Sequence, residues 1–315
     1  MRKFNAIWDK YGTFGILLLI TIGLGLFSPQ FFLTTSNLTQ VLLQSSVTIL
    51  IGMGEFFTIL IAGIDLSVGS VMALTGMVSA KLMVAGLSWP AAILIGGILV
   101  GGLLGAFNGF LVNKTGLHPF IITLGTLAIF RGVTLIISDA SPVFGLPQGF
   151  KRGIAGWLGP IPIPVIIALI VAIVFIFVTN KTKLGRNIYA LGGNSQAAWF
   201  SGINIKSHTL IVFIISGVAA GIAGVVMTAR LGAAEPLAGT GYETQAIAAA
   251  IIGGTSFFGG KGRVIGVVMG GLIIGVINNG LNILSVPTYY QQIVMGTLII
   301  LAVFLDRFFG SKKTI

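Results

Sequence analysis

Apolar stretches long enough to cross a bilayer follow one another along almost all of this 315-residue chain. They lie at about 13–32, 38–62, 66–86, 89–113, 118–138, 161–180, 207–229, 243–258, 263–285 and 289–306. A helix needs about 20 such residues to span the hydrocarbon core, so the pattern predicts an integral membrane protein with about ten transmembrane helices. Hydrophobic residues make up 55% of the chain and charged residues only 8%, against about a quarter charged in a soluble domain. The 46 glycines suit a helical bundle, in which small residues let backbones approach, better than a barrel of alternating strands. The expected fold is therefore all-α, with residues 1–315 forming one polytopic membrane domain.

The chain has no cysteine and two histidines, which excludes disulfides and thiolate metal sites and leaves little for a histidine-rich metal or haem site. No cofactor and no metal is expected in this chain. The net charge of +11 comes from basic residues scattered between apolar stretches, so it reads as a topology signal and not as a nucleic-acid footprint. With the N-terminus inside, 13 of the 18 basic residues fall on the inner side, among them Arg2, Lys3, Lys10, Lys181, Lys183, Arg186, Lys312 and Lys313. Both termini are therefore expected in the cytoplasm. The first apolar run, 15–27, follows Lys10 like a signal peptide but continues as LFSPQFF with no small-residue cleavage site, so it is read as a retained span.

One polar island interrupts the pattern, Lys181 to Lys206, KTKLGRNIYALGGNSQAAWFSGINIK. Its charges are too costly for hydrocarbon, and the basic bias puts it in the cytoplasm. Asn194 suits an N-cap, Ser195 to Ser201 make about two helical turns, and Gly202 stands where a left-handed stop belongs. Such a short helix does not persist alone. It gathers Ala197, Ala198, Trp199 and Phe200 into an apolar knob, which calls for a partner protein or the membrane surface. Trp199 suits either an anchor in a docking groove or an aromatic-belt position.

Polar residues within the spans are the other signal. Glu55 lies at depth, where a carboxylate must be protonated, paired or hydrated, and Arg131 is an available partner. Asp65 reads either as a functional carboxylate or as an N-cap, with Ser67, for the following helix, Gly63 relieving the turn. Asn108, Asn278, Asn279 and Asn282 serve as interhelical glue or face a passing polar solute. From polarity and depth, Glu55, Asn108 and Asn279 are the expected path residues. EPLAGTGYE at 235–243 and GGTSFFGGKGR at 253–263 bracket a piece short enough to be a re-entrant or tilted helix. The latter is no phosphate loop, because Thr255 and Gly262 occupy its required Gly and Ser/Thr positions. The segment 139–160 reads as an external loop and a landing site for a partner. A short echo, GAFNG (105–109) then GTL (125–127) against GVINNG (275–280) then GTL (296–298), is the pattern of an inverted repeat.

The segments GIDLSVGS (63–70), LGRNIYALGGNSQAAWFSGI (184–203), AGTGYE (238–243), GGTSFFGGKGR (253–263) and NNGLNIL (278–284) carry a resemblance in order along nearly the whole chain. The chain resembles the ribose-type monosaccharide permeases of bacterial ATP-binding-cassette importers. The resemblance implies a multi-pass protein of the bacterial inner membrane, with two copies forming the channel. A periplasmic sugar-binding protein delivers substrate, and a cytoplasmic ATPase carries ATP and Mg. It also makes 190–203 the coupling helix, with Asn194, Ala197, Ala198, Trp199 and Gly202 as docking contacts. Where ribose permeases show a small or apolar residue after Met-Gly, this chain has Glu55, Phe56 and Phe57, which makes it look similar to the D-allose branch. D-allose and D-ribose are the expected substrates. The rival reading is a proton-coupled secondary transporter using Glu55 or Asp65; a membrane-embedded enzyme lacks the acid, base and nucleophile it would need.

Overall fold

A computed structural model describes residues 2–310, with side chains described for 12–304, 306 and 307. Lys312 and Lys313, and the side chains of Arg2, Lys3 and Lys10, lie outside the described residues. The chain folds as α1 (Arg2–Phe27), α2 (Thr35–Leu60), α3 (Val68–Val84) and α4 (Trp89–Ala92). A π-helical stretch (Ile93–Leu99) runs without a break into α5 (Val100–Thr115), followed by α6 (Pro119–Ser138) and α7 (Gln148–Ala155). Next come a two-stranded hairpin, β1 (Trp157–Leu158) with β2 (Ile161–Pro162), then α8 (Ile163–Lys181), α9 (Lys183–Gly193), α10 (Ser195–Phe200) and α11 (Ile205–Leu231). The chain closes with α12 (Tyr242–Ile252), α13 (Val264–Ile283) and α14 (Thr288–Gly310).

Among the described residues, six helices are long and apolar enough to cross a membrane: α2, Trp89–Thr115, α6, α8, α11 and α13. Gly12–Phe27, α3 and Thr288–Phe304 are shorter apolar helices. The expected crossing at 243–258 is α12, of 11 residues; at 1.5 Å per residue it covers about 16 Å, half of the core. The expected loop at 139–160 also carries structure, since it folds into α7 and the hairpin and buries Phe150. A bridge between Val143 and Ala234 ties it to the α11–α12 link.

α2 occupies the centre. It is buried without interruption from Ser45 to Leu60, as expected of a helix surrounded by others. α11 packs across α2, α3 and α5, while α13 and α12 close the far side of α2. Where lipid removes the hydrophobic drive between helices, close backbone packing replaces it. Gly101 and Gly105 on α5 meet Gly217 and Gly221 on α11, each pair four residues apart and backbone against backbone.

The two faces of the bundle are distinguishable. The end of α2 at Leu60, α9 and the 253–263 turn meet on one face, where Gly260 N–H donates to Leu60 O at 2.9 Å. Asp306 of α14 reaches that same turn, and α1 has its Leu24 end against Gly280 at the other end of α13. Asn113, near the end of α5, donates to Lys206 O at 2.8 Å beside α10, and α13 begins directly after the 253–263 turn, so the segments 105–109 and 275–280 run in opposite directions.

Candidate functional site

Three polar groupings stand out, and the first is the island. Thr182 caps α9, its hydroxyl accepting from Gly185 N at 3.1 Å. Asn194 Oδ1 caps α10, accepting from Ala197 N at 2.9 Å. Gly202, at φ 80°, ends α10, and Asn204 Oδ1 caps α11, accepting from Ser207 N at 3.0 Å. Three helices are thus capped in succession, and α10 is held as a projecting turn. Trp199 is 62% and Phe200 80% exposed, their rings edge to face at 5.0 Å. Of the expected docking contacts, Asn194, Ala197, Trp199 and Gly202 are exposed. Ala198 is instead buried, because it faces back onto the neighbouring helices, and so supports the turn from within. Phe200, left out of those contacts, is the more exposed aromatic.

The island is joined to the bundle. A Cβ on Gly192 would run into Leu60 O, so α9 lies directly on the end of α2. Tyr189 OH donates to Gly262 O at 2.8 Å; burial raises this phenol's pKa, and the Arg263 charge partly offsets the shift. Asp306 accepts from Ser256 Oγ at 3.1 Å and Phe257 N at 3.0 Å. α9, the 253–263 turn and α14 thus form one ledge around a shallow cavity of about 410 Å³.

The second grouping is buried. Asp65 Oδ1 accepts from Ser67 N at 3.0 Å and Ser67 Oγ at 2.6 Å, while Oδ2 accepts from Ser216 Oγ at 2.9 Å. Asn108 Nδ2 donates to Ser67 Oγ at 2.8 Å, and Glu55 Oε1 accepts from Asp65 N at 3.1 Å. Asp65 therefore folds an Asx turn ahead of α3, and the left-handed residue of the link is Ala62 (φ 58°), not Gly63. Glu55 does not meet Arg131, whose guanidinium donates to Pro236 O and Ala238 O at 2.7 and 2.8 Å. The network joins α2, α3, α5 and α11. Asp65→Ala strands three donors, and a buried unsatisfied group costs about 1–3 kcal/mol. The variant is expected to lose about 3 kcal/mol or more of stability, and Asp65→Asn, which keeps an acceptor oxygen, less; thermal unfolding in detergent measures both.

The third is a cavity of about 640 Å³ between α2, α12, α13 and α14, walled by Gln44, Thr48, Gln245, Asn278, Asn282 and Gln292 among others. It lies toward the face opposite α10, beside Asn282 and Thr288. None of the three expected path residues lines it. Glu55 and Asn108 are held in the buried network, and Asn279 forms a reciprocal amide pair with Asn37 at 2.8 and 2.9 Å. Asn278, its neighbour on α13, faces the cavity instead. The pattern was present in the sequence: Gln44 with Thr48, and Asn278 with Asn282, stand four residues apart, which is one side of a helix. Among the described residues, no group of three His, Asp or Glu side chains is placed to hold a metal ion.

The sequence profile of the family described as branched-chain amino acid transport system / permease component matches residues 37–303. The D-allose transport system permease protein AlsC of Escherichia coli K12 is 67% identical over 305 residues, covering 97% of this chain and 94% of that protein. The ribose import permease protein RbsC of Haemophilus influenzae is 42% identical over 95% of this chain and 93% of its own length. The galactose/methyl galactoside import permease protein MglC of Salmonella typhimurium is 36% identical over 99% and 98%. No solved structure matches the chain.

Proposed function

We infer the function from the family to which this chain belongs, that of the branched-chain amino acid transport system permease components: it is the membrane-spanning subunit of an ATP-driven ABC importer of a monosaccharide. The observation that carries the sugar is the gradient of likeness, 67% to a D-allose permease against 42% to a ribose permease and 36% to a galactose one. D-allose is therefore the favoured substrate and D-ribose the next. The chain is a multi-pass protein of the bacterial inner membrane, and not an enzyme. ATP and Mg bind a separate cytoplasmic ATPase, a periplasmic binding protein delivers the sugar, and a second copy of the chain completes the channel. Residues 1–315 act as one domain, with both termini and the segment 181–206 cytoplasmic.

The coupling route is supported by packing. Asn194, Ala197, Trp199 and Gly202, with Phe200, form the contact for the ATPase, where an exposed aromatic pair beside small residues suits an anchor in a groove. α10 adjoins α9, and α9 rests on the end of α2 at Leu60. Gln44, on the cavity wall, lies 16 residues back along α2, about 24 Å at helical rise. A displacement imposed on α10 by ATPase closure therefore reaches the cavity along one stiff helix. The segment 139–160, structured over the opposite face, is the landing surface for the binding protein. The interface with a second copy is drawn from the lipid-facing helices, and Glu55 and Asn108 brace the path without lining it.

The test is uptake of labelled D-allose, D-ribose, D-galactose and L-leucine by cells that lack their own importers and express this chain with its ATPase and binding protein. D-allose uptake above the other three is expected; uptake of L-leucine alone would refute the sugar assignment.

A further inference from the structure

We propose that the cavity between α2, α12, α13 and α14 is a built binding site for one neutral polyhydroxylated molecule of monosaccharide size, held by the side-chain amides of Gln44, Gln245, Asn278 and Gln292. The proposal deepens the transport reading and rests on it for the identity of the ligand.

The chemistry of the wall selects the ligand class. The lining residues include amides and hydroxyls and no Asp, Glu, Lys or Arg. An amide offers donors and an acceptor on one group, which matches a hydroxyl that both donates and accepts. An amino acid would bring an ammonium and a carboxylate into a wall with no counter-charge, a costly arrangement away from water. The apolar side chains Met295 and Ile299 on the same wall suit the C–H faces of a sugar ring. At about 640 Å³ the cavity falls within the range of about 300–1,000 Å³ typical of small-molecule sites.

The polar groups are also free to bind. Gln245 Oε1 accepts from Thr48 Oγ1 at 3.2 Å, which leaves its amino group available. Among the described residues, no hydrogen-bond partner is found for the side-chain amides of Gln44, Asn278 and Gln292. Asn279, next in sequence to Asn278, is by contrast fully engaged with Asn37, so the adjacent amides divide between holding the bundle and facing the cavity.

The backbone supports the same assignment. α12 starts beside the cavity at Gly241 (φ 82°) and ends at Ile252, about 16 Å later, at the turn below α9. A helix that begins near mid-bilayer is tolerated where its end lines a cavity, and discontinuous helices of this kind surround the substrate in other transporters. Thr240 and Gly241 at its start belong to the wall. The site is open to one side, so weak, readily reversed binding is expected.

Two measurements test this on Asn278→Leu and Gln245→Leu, which replace each amide with a side chain that cannot hydrogen-bond. The first is saturation-transfer NMR on the full chain in detergent, with D-allose as probe and L-leucine as control. Transfer to D-allose but not to L-leucine, lost in both variants while their elution as folded monodisperse protein is retained, is the expected result. It reads binding by this chain directly, so it holds or fails independently of ATP-driven transport. The second is the importer reconstituted with its ATPase and binding protein. There, sugar uptake is expected to fall about tenfold in each variant, with Asn278→Gln restoring part of the uptake. No transfer to D-allose in wild type, or unchanged uptake in both leucine variants, would overturn the site. If a leucine variant does not fold, Asn278→Ala and Gln245→Ala replace it in both measurements.

Discussion

Gly217→Leu is expected to leave little folded protein in the membrane. A Cβ at this position on α11 would run into the carbonyl of Gly101 and stand 2.9 Å from Gly105 N and 3.0 Å from Gly105 Cα. All three neighbours are backbone, so no rotamer change relieves the contact. The helices must separate, and with them Gly221 and Gly105, which rest on the same seam. Ordinary overpacking costs about 1–3 kcal/mol; wedging a whole side chain between backbones is expected to exceed the upper end of that range. α11 also carries Ser216 into the network around Asp65, so its displacement breaks buried hydrogen bonds as well. The control is Gly125→Leu on α6, where the added atoms meet nothing within 4 Å. It is expected to express and elute like the wild type in detergent, while Gly217→Leu aggregates.

The double variant Trp199→Ala, Phe200→Ala is expected to behave in the opposite way, folded but uncoupled. The two rings are 62% and 80% exposed and meet edge to face. Removing exposed side chains away from caps and core costs about 0.5 kcal/mol or less, and Asn194 still caps α10. An aromatic anchor in a protein groove is by contrast worth about 2 kcal/mol or more. ATPase binding is therefore expected to weaken at least about 30-fold at 1.4 kcal/mol per factor of ten, and ATP-driven uptake to fall with it. Co-purification of the ATPase and uptake in proteoliposomes read the two effects. Wild-type association would show that the rings belong to the membrane surface.

These two cases also show what the sequence could reveal. The α10 turn is legible because its chemistry is local: a capping amide, six helical residues and a left-handed glycine lie within nine positions, Asn194 to Gly202. The shortness of α12 was legible from the polar segments on either side of it. The Asx turn of Asp65 was half legible, since Ser67 is two residues away, whereas Asn108 and Ser216 come from helices that only the tertiary fold brings in. Polarity and depth point to Glu55, Asn108 and Asn279, and depth says nothing about which way a side chain faces. In a bundle this uniformly apolar, the periodicity that marks an inner face in a soluble helix is absent, because lipid and protein select the same residues. The cavity needed four helices to be placed before Gln44 and Asn278 could be seen to share it.

The most direct test of an ATP-coupled permease is sugar uptake into proteoliposomes containing this chain alone, then with its ATPase and binding protein, with and without enclosed ATP. Uptake of D-allose only with all components and ATP is the predicted result. Uptake by the chain alone, without ATP, would contradict it.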